Sequence, residues 1–209
     1  RRRGRGGEGR GGGEGGGVFI KEKTAYGIST LLEFGRVLFR SIVAYPTEYC
    51  YGLGCDPMNR GAVQRILQLK KRAWSLGLIV IAADLRQLAG LIDLSRKDLL
   101  QQPCGSWPGP HTWLLPALPG TPRWIRGEHS AVAVRVTAHP IARTLCRRFG
   151  SAIVSTSANR SGRPPLRTSH QVRTEFKGAI DFVLEGPVGR TNGPSSIRDA
   201  KSGKWVRGG

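Results

Sequence analysis

Residues 42–72 read IVAYPTEYCYGLGCDPMNRGAVQRILQLKKR, and this stretch decides how the rest of the chain is interpreted. Its apolar run at 42–45, stopped by Pro46, predicts a strand, and a glycine-rich turn follows. A helix then ends in the basic residues 70–72. Because glycines allow close backbone approach and basic side chains neutralise phosphate oxygens, this order favours a phosphorylated, nucleotide-like ligand.

Two standard nucleotide-binding motifs are absent from the sequence. Gly52-Leu53-Gly54 lacks the third glycine of a dinucleotide fingerprint, and G-x-x-x-x-G-K-[ST] does not occur. The basic residues at the helix end also have a second interpretation, because cations at a helix C-terminus stabilise the helix dipole. The stretch alone therefore leaves a phosphate site and plain helix stabilisation both open.

Length and charge narrow the class of protein. The chain has 209 residues, of which 39% are hydrophobic, and this predicts one core and one domain. Its net charge of +19 favours nucleic acid or another polyanion as a partner. Residues 1–17 hold five arginines against two glutamates and contribute +3, so +16 belongs to the remaining chain.

The N-terminal region differs in composition from the rest. Residues 1–17 contain only Arg, Gly and Glu, and we expect a disordered Arg/Gly-rich tail, either a flexible or artefactual end or an RNA-binding arm. Residues 18–41 have an equivocal apolar pattern, and we interpret them as either a short amphipathic helix or a segment that is not native to the chain. The ordered domain is expected to occupy residues 42–209.

Strands alternate with helices along that domain, which predicts an α/β fold with a mixed sheet. Predicted strands lie at 42–45, 78–82, 111–115, 131–136, 153–154, 182–184 and 196–198. Predicted helices follow Asn59 and occupy 84–88, 95–101, 139–149 and 168–176, while 117–130 is interpreted as a loop.

Cysteine spacing and hydropathy bear on compartment. The four cysteines form no C-x-x-C pair, so we interpret them as reduced thiols and predict no metal site. No apolar stretch has the length of a membrane span, and no signal-peptide pattern is present, so we expect a cytoplasmic protein without a membrane partner.

Two polar features have alternative explanations. Arg135 lies between valines in a predicted strand, so its side chain either faces solvent or requires an anion in a pocket. The hydroxyl and amide cluster at 155–162 follows a short strand, and it serves either turn formation or the binding of a polar ligand. It is not a nucleophile elbow, because G-x-S-x-G is absent.

Taken together, short motifs along the chain resemble the YrdC family. They occur in order at 45–48, 51–54, 69–72, 107–110, 133–136, 155–159 and 194–197. The resemblance covers residues 42–209 and implies a YrdC-like single domain, an open twisted mixed sheet with flanking helices. The chain departs from the family in two places. Ala73 and Trp74 follow the K-x-R pair, where many members have proline, and the family's opening helix is not recognisable before Ile42.

The resemblance implies an L-threonylcarbamoyladenylate synthase, which joins L-threonine, bicarbonate and ATP and releases pyrophosphate. Mg²⁺ is expected to accompany ATP, and other threonylcarbamoyl-transfer proteins then modify tRNA. The family motifs imply catalytic and substrate-binding residues at the following positions. The catalytic residues are Lys70, Arg72, Ser157 and Asn159, and the substrate-binding residues are Thr47, Thr112, Arg135 and Ser155.

Two other functions compete with this one. The chain could be a double-stranded RNA or ribosome-binding protein without catalysis, which the positive charge would support. It could also be a carbamoyl-adenylate module acting on carbamoyl phosphate, although no attached zinc-finger or acylphosphatase-like region is recognised.

Overall fold

The computed structural model describes residues 40–208, and within this range the chain forms ten strands and five α-helices. The interpretations of residues 1–17 and of 18–39 lie outside the described residues. None of the described helices is long and apolar enough to cross a bilayer.

The first sheet has four strands in the order β7-β2-β1-β8. They are β1 (Val43–Pro46), β2 (Tyr51–Gly54), β7 (Thr156–Ser157) and β8 (Phe182–Val183). The β1 strand is antiparallel to β2 and parallel to β8, and β7 runs antiparallel along β2. This sheet brings the P-T-E turn after β1 close to the residues that follow Val154.

The second sheet has six strands in the order β10-β9-β4-β5-β3-β6. They are β3 (Ile79–Ala82), β4 (His111–Pro116), β5 (Ala131–Val136), β6 (Ile153–Val154), β9 (Ser196–Asp199) and β10 (Trp205–Arg207). The β3–β5 and β4–β9 pairs are parallel, and the other pairs are antiparallel. The predicted α/β class with mixed pairing and flanking helices is therefore confirmed, with the strands divided between two sheets.

The helices connect and cover these sheets. They are α1 (Arg60–Lys70), α2 (Lys97–Ser106), α3 (Arg123–Arg126), α4 (Pro140–Phe149) and α5 (Ser169–Phe176), with 3₁₀ turns at Trp74–Leu76 and Leu85–Leu88. The helix predicted at 84–88 is thus a 3₁₀ turn, and the loop predicted at 117–130 contains α3. The Asp84 side chain accepts a hydrogen bond from Arg86 N at 3.0 Å and so caps the start of this turn. The turn ends at Leu88 and does not continue as an α-helix.

The glycine-rich turn predicted at 51–54 is wrong, because these residues form β2 in the interior of the first sheet. A Cβ at Gly54 would lie 2.5 Å from Val154 O and 2.8 Å from Tyr45 Cε1. The glycines therefore serve close packing between strands. A local pattern cannot distinguish this use of glycine from a turn, since both require a missing side chain.

Helix α1 begins where the sequence predicts, but it ends at Lys70, so of the basic residues 70–72 only Lys70 lies within the helix. The Asn59 side chain accepts a hydrogen bond from Ala62 N at 3.0 Å, which satisfies a free N–H of the first turn. The helix packs an apolar face into the larger core cluster and stops at Lys71, whose φ of 50° is left-handed. Because the backbone reverses at Lys71, the two neighbouring lysines have different environments. Lys70 is buried and Lys71 is exposed.

Candidate active site

A cavity of about 400 Å³ collects polar side chains from the turn after β1, from α1, β5 and β7, and from the C-terminal segment. Of the eight predicted site residues, seven line it: Thr47, Lys70, Arg72, Arg135, Ser155, Ser157 and Asn159. Thr112 does not line it, but its hydroxyl donates a hydrogen bond to the lining residue Ser195 at 3.1 Å. Residues far apart in sequence therefore share one cavity.

Lys70 fixes the turn that carries the S-x-N pair. Its Nζ donates to Ser157 O at 2.6 Å, to Asn159 O at 2.9 Å and to Asn159 Oδ1 at 2.9 Å. An ammonium group has three N–H donors, so this side chain is fully bonded to the turn. Burial lowers the pKa of Lys70 to about 8, with a further contribution from the nearby charge of Arg72.

The two polar members of the turn are bonded to each other and to the backbone. The Ser157 hydroxyl donates to Asn159 Oδ1 at 2.7 Å, and Asn159 Nδ2 donates to Arg163 O at 2.5 Å. The backbone is held as well, because Ala158 N donates to Tyr51 O at 2.7 Å. The cluster therefore serves turn formation, the first of the two alternatives, and its groups also line the cavity.

Arg72 lies at the boundary of the cavity. Its Nη2 donates to Gly77 O at 3.0 Å and its Nε to the same oxygen at 3.3 Å. These bonds hold one edge of the guanidinium group and orient the planar fork. Partial burial lowers the pKa of Arg72 below its usual range, although an arginine remains protonated at neutral pH.

Arg135 does not face solvent, because it forms an ion pair with Glu48 at an Nη2 to Oε2 distance of 3.3 Å. The other carboxylate oxygen accepts from Thr137 Oγ1 at 2.6 Å and from Ala138 N at 3.1 Å. Burial alone would raise the pKa of Glu48, but Arg135 and the hydrogen bonds lower it below its ordinary value. Sequence reasoning missed Glu48 as the partner, although it belongs to the P-T-E motif.

The ion pair is incompletely hydrogen-bonded. Within the described part of the chain, Arg135 Nε and Glu48 Oε2 have no hydrogen-bond partner. Arginine carries five N–H donors, so a guanidinium that also lines the cavity retains donors for an anionic ligand.

Thr47 and Ser155 are buried hydroxyl residues of the same wall. The Thr47 hydroxyl donates to Cys50 O at 2.7 Å, so its oxygen is left to act as an acceptor. Gly52 lies between them, and a Cβ there would approach Thr47 Cγ2 to 3.1 Å and Ser155 Oγ to 3.4 Å. The glycine therefore keeps this part of the cavity open.

Arg207 is a cavity residue that the sequence analysis missed. It comes from β10, and its Nη2 donates to Ser195 O at 2.8 Å. Burial lowers the pKa of Arg207, and the positive charges of Arg135 and Arg72 lower it further. No local pattern distinguishes it from the other arginines, because only the pairing of β10 with β9 brings it to the site. Its convergence with two other guanidinium groups indicates a binding site for anions.

The cavity provides hydroxyl, amide and cationic groups. Among the described residues, no group of three or more His, Cys, Asp or Glu side chains is placed to hold a metal ion. Cys50, which also lines the cavity, is buried, and burial raises the pKa of its thiol to about 11. All four cysteines are free thiols, as the spacing predicted.

Comparison with known proteins identifies the family of the chain. The Sua5/YciO/YrdC family model, described as "Telomere recombination", matches residues 40–209. The chain belongs to the Sua5/YciO/YrdC family, and the predicted resemblance is confirmed. Within the family it is similar to the threonylcarbamoyl-AMP synthase of Nitrosococcus oceani, with 51% identity over 169 residues, 79% of this chain and 90% of the relative. The synthase of Alkalilimnicola ehrlichii is 53% identical over 175 residues, 82% of this chain and 91% of the relative.

Solved structures give the same assignment. Sua5 from P. abyssi, determined in complex with L-threonine, is 34% identical with a TM-score of 0.74, over 81% of this chain and 50% of that chain. The present chain thus spans about half the length of that protein. YciO from E. coli, at 22% identity and a TM-score of 0.68 over 81% of this chain and 82% of that chain, supports the fold alone.

Proposed function

We propose that this protein is an L-threonylcarbamoyladenylate synthase, a nucleotidyltransferase that acts in threonylcarbamoyladenosine modification of tRNA. It would join L-threonine, bicarbonate and ATP into threonylcarbamoyl-AMP with release of pyrophosphate. The observation that carries the proposal is the cationic cavity lined by the K-x-R and S-x-N pairs. It occurs in a chain about half identical to proteins named threonylcarbamoyl-AMP synthase.

The chemistry brings several anions together. The threonine amine and bicarbonate give a carbamate with loss of water. A carbamate oxygen then attacks the α-phosphorus of ATP, and the bond to the pyrophosphate oxygen breaks. Positioning and fixed positive charge can lower this barrier, because negative charge develops on the phosphate oxygens in the transition state.

We assign the triphosphate to Arg72 and Arg207, whose planar forks suit phosphate oxygens. Lys70 holds the turn on which Ser157 and Asn159 orient the nucleotide or the carbamate. Thr112 would act through Ser195, which it contacts, and Ser155 would contact substrate directly.

Threonine is assigned to Arg135 and Thr47. A guanidinium group recognises a carboxylate as a fork, and Arg135 lines the cavity beside Thr47. The L-threonine complex of P. abyssi Sua5 supports a threonine site in this fold.

Mg²⁺ would enter with ATP. Among the described residues, no cluster of carboxylates is placed to hold a metal ion. Phosphates and water would therefore supply most of the Mg²⁺ ligands, with hydroxyl and amide groups of the cavity nearby. Further proposed partners are tRNA and the proteins that transfer the threonylcarbamoyl group, and the proposed compartment is the cytoplasm.

Pyrophosphate release tests the function. Purified protein should release pyrophosphate only when ATP, L-threonine and bicarbonate are all present. Lys70→Ala should abolish the release, whereas Arg86→Ala, at a side chain that is 91% exposed, should leave it unchanged. A folded protein that releases none, but retains RNA in a salt-dependent way, would instead support RNA binding without catalysis.

A further inference from the structure

A second groove, of about 830 Å³, lies beside the cavity and is not used by the proposed reaction. Its lining includes Arg60, Lys71, Arg72, Trp74, Arg123 and Trp124. Arg72 lines both spaces, so they share one side chain. Among the described residues that line the groove, none is acidic.

Two pairs of guanidinium and indole groups line the groove. Arg123 Cζ lies 5.5 Å from the centroid of the Trp74 ring, and Arg60 Cζ lies 5.9 Å from that of Trp124. Trp74 is 43% exposed, an unusual position for a large hydrophobic side chain.

The groove is built on a fixed backbone. Leu78 N donates to Ile125 O at 2.8 Å, and Glu128 N donates to Ser75 O at 3.1 Å, so the 3₁₀ turn is tied to α3. Gly127 has a φ of 68°, and a Cβ there would overlap Ser75 O. The Trp124 indole is also fixed, because its Nε1 donates to Pro57 O at 3.0 Å. A rigid surface of this kind loses little entropy when a ligand binds.

We propose that this groove binds a single-stranded segment of RNA. Bases would stack on Trp74 and phosphates would pair with Arg60, Lys71 and Arg123, the combination that single-strand binding surfaces use. A duplex offers phosphates but hides the faces of its bases, and an acidic polypeptide would leave the indole face unused. The inference goes beyond adenylate synthesis and does not depend on it.

Fluorescence anisotropy with a short, unstructured, labelled RNA tests the groove, using the full chain without ATP or threonine. Trp74→Ala should weaken binding about tenfold and leave the salt dependence unchanged, because stacking is not ionic. Arg123→Ala should weaken binding and reduce the slope of log affinity against log salt by about 0.7, the value for one phosphate contact on a single strand.

Two matched controls separate the groove from the general positive charge. Trp205 is 50% exposed and Arg198 Cζ lies 5.2 Å from its ring, so Trp205→Ala removes a similar pair elsewhere. Arg86→Ala removes one exposed positive charge outside the groove. Both should bind RNA like the unmodified protein, and thermal unfolding should show that all four variants are folded.

The inference is overturned if Trp74→Ala binds RNA as tightly as Trp205→Ala, or if Arg123→Ala behaves like Arg86→Ala. It is also overturned if a duplex of equal length binds as tightly and with the same dependence on Trp74. Poly-L-glutamate binding that requires Trp74, with RNA binding that does not, would assign the groove to an acidic polypeptide.

Discussion

Glu48 and Arg135 form a buried ion pair at 3.3 Å, in which each residue is 7% exposed. The arginine lines the cavity, while the carboxylate is anchored behind it by Thr137 and Ala138. Glu48 thereby sets the position of a cation that substrate would meet. Substitution can compare the contribution of this buried ion pair to the free energy of unfolding with that of an exposed ion pair.

Glu48→Gln should lower the free energy of unfolding by about 3 kcal/mol, because it leaves the Arg135 charge buried without a counter-ion. The exposed pair Arg173–Glu185 has the same 3.3 Å separation and a glutamate side chain that is 45% exposed. Glu185→Gln should therefore cost about 0.5 kcal/mol or less. Urea unfolding measures both, and equal losses would show that burial does not determine the strength of the pair.

The pKa of Glu48 predicts how stability depends on pH. Because the folded pKa lies below the ordinary carboxyl value of 4.5, the contribution is complete above that value and is lost as pH falls through the folded pKa. Urea unfolding from neutral pH downwards should show a steeper loss for the unmodified protein than for Glu48→Gln. Parallel curves below pH 4.5 would refute this assignment.

Lys70 predicts an alkaline limit to activity. With a folded pKa of about 8, it is charged below that pH and loses its charge above it. The neutral amine has two N–H donors for the three acceptors it now meets, so the turn at 157–159 loses a bond. The pH profile of kcat/KM for pyrophosphate release should fall with an apparent pKa near 8. In Lys70→Arg any residual activity should extend to higher pH. If kcat/KM of this variant falls at the same pH as that of the unmodified protein, the alkaline fall belongs to another group.

Arg207→Gln tests the cavity residue that sequence reasoning missed. Removing one phosphate contact should raise KM for ATP about tenfold or more, since charge-assisted hydrogen bonds contribute about 1.5–3 kcal/mol. Arg86→Gln removes an arginine charge at a side chain that is 91% exposed and does not line the cavity, and its kinetics should be unchanged. If both variants show the same KM for ATP, Arg207 does not contact the nucleotide.

Gly54→Ala tests the packing of β2. The added Cβ would meet Val154 O and the Tyr45 ring at 2.5 and 2.8 Å, so we expect a loss of about 2 to 3 kcal/mol in stability. Gly90→Ala has nothing within 4 Å of the added atom and should be neutral or slightly stabilising. Thermal unfolding distinguishes them, and an unchanged Gly54→Ala would mean that the strands can separate at no cost.

Local chemistry made part of this structure predictable. The Asn59 cap, the apolar face of α1 and the continuous apolar strands β3 and β5 carry their signals within a few neighbouring residues. Strand β2 was missed because its glycines are explained by Tyr45 and Val154 rather than by their own neighbours. Its assignment required the register of three strands.

The site was predictable to a similar degree. Family motifs identified seven of the residues that line the cavity, but they did not reveal Glu48 as the partner of Arg135 or the arrival of Arg207 through β10. Both depend on contacts between distant segments, which an isolated stretch of sequence does not encode. The roles assigned to the lining residues remain predictions for the experiments above.

Arg72 belongs to the walls of two spaces at once. An anion that binds the Arg72 guanidinium group from the cavity changes the electrostatic potential in the groove, and an anion in the groove changes the potential in the cavity. Ligands of the two spaces should therefore be linked thermodynamically, and each should change the affinity of the other by one common factor. The affinity for a nucleotide in the cavity would then depend on whether the groove is occupied, and the affinity for a ligand in the groove would depend on whether the cavity is occupied.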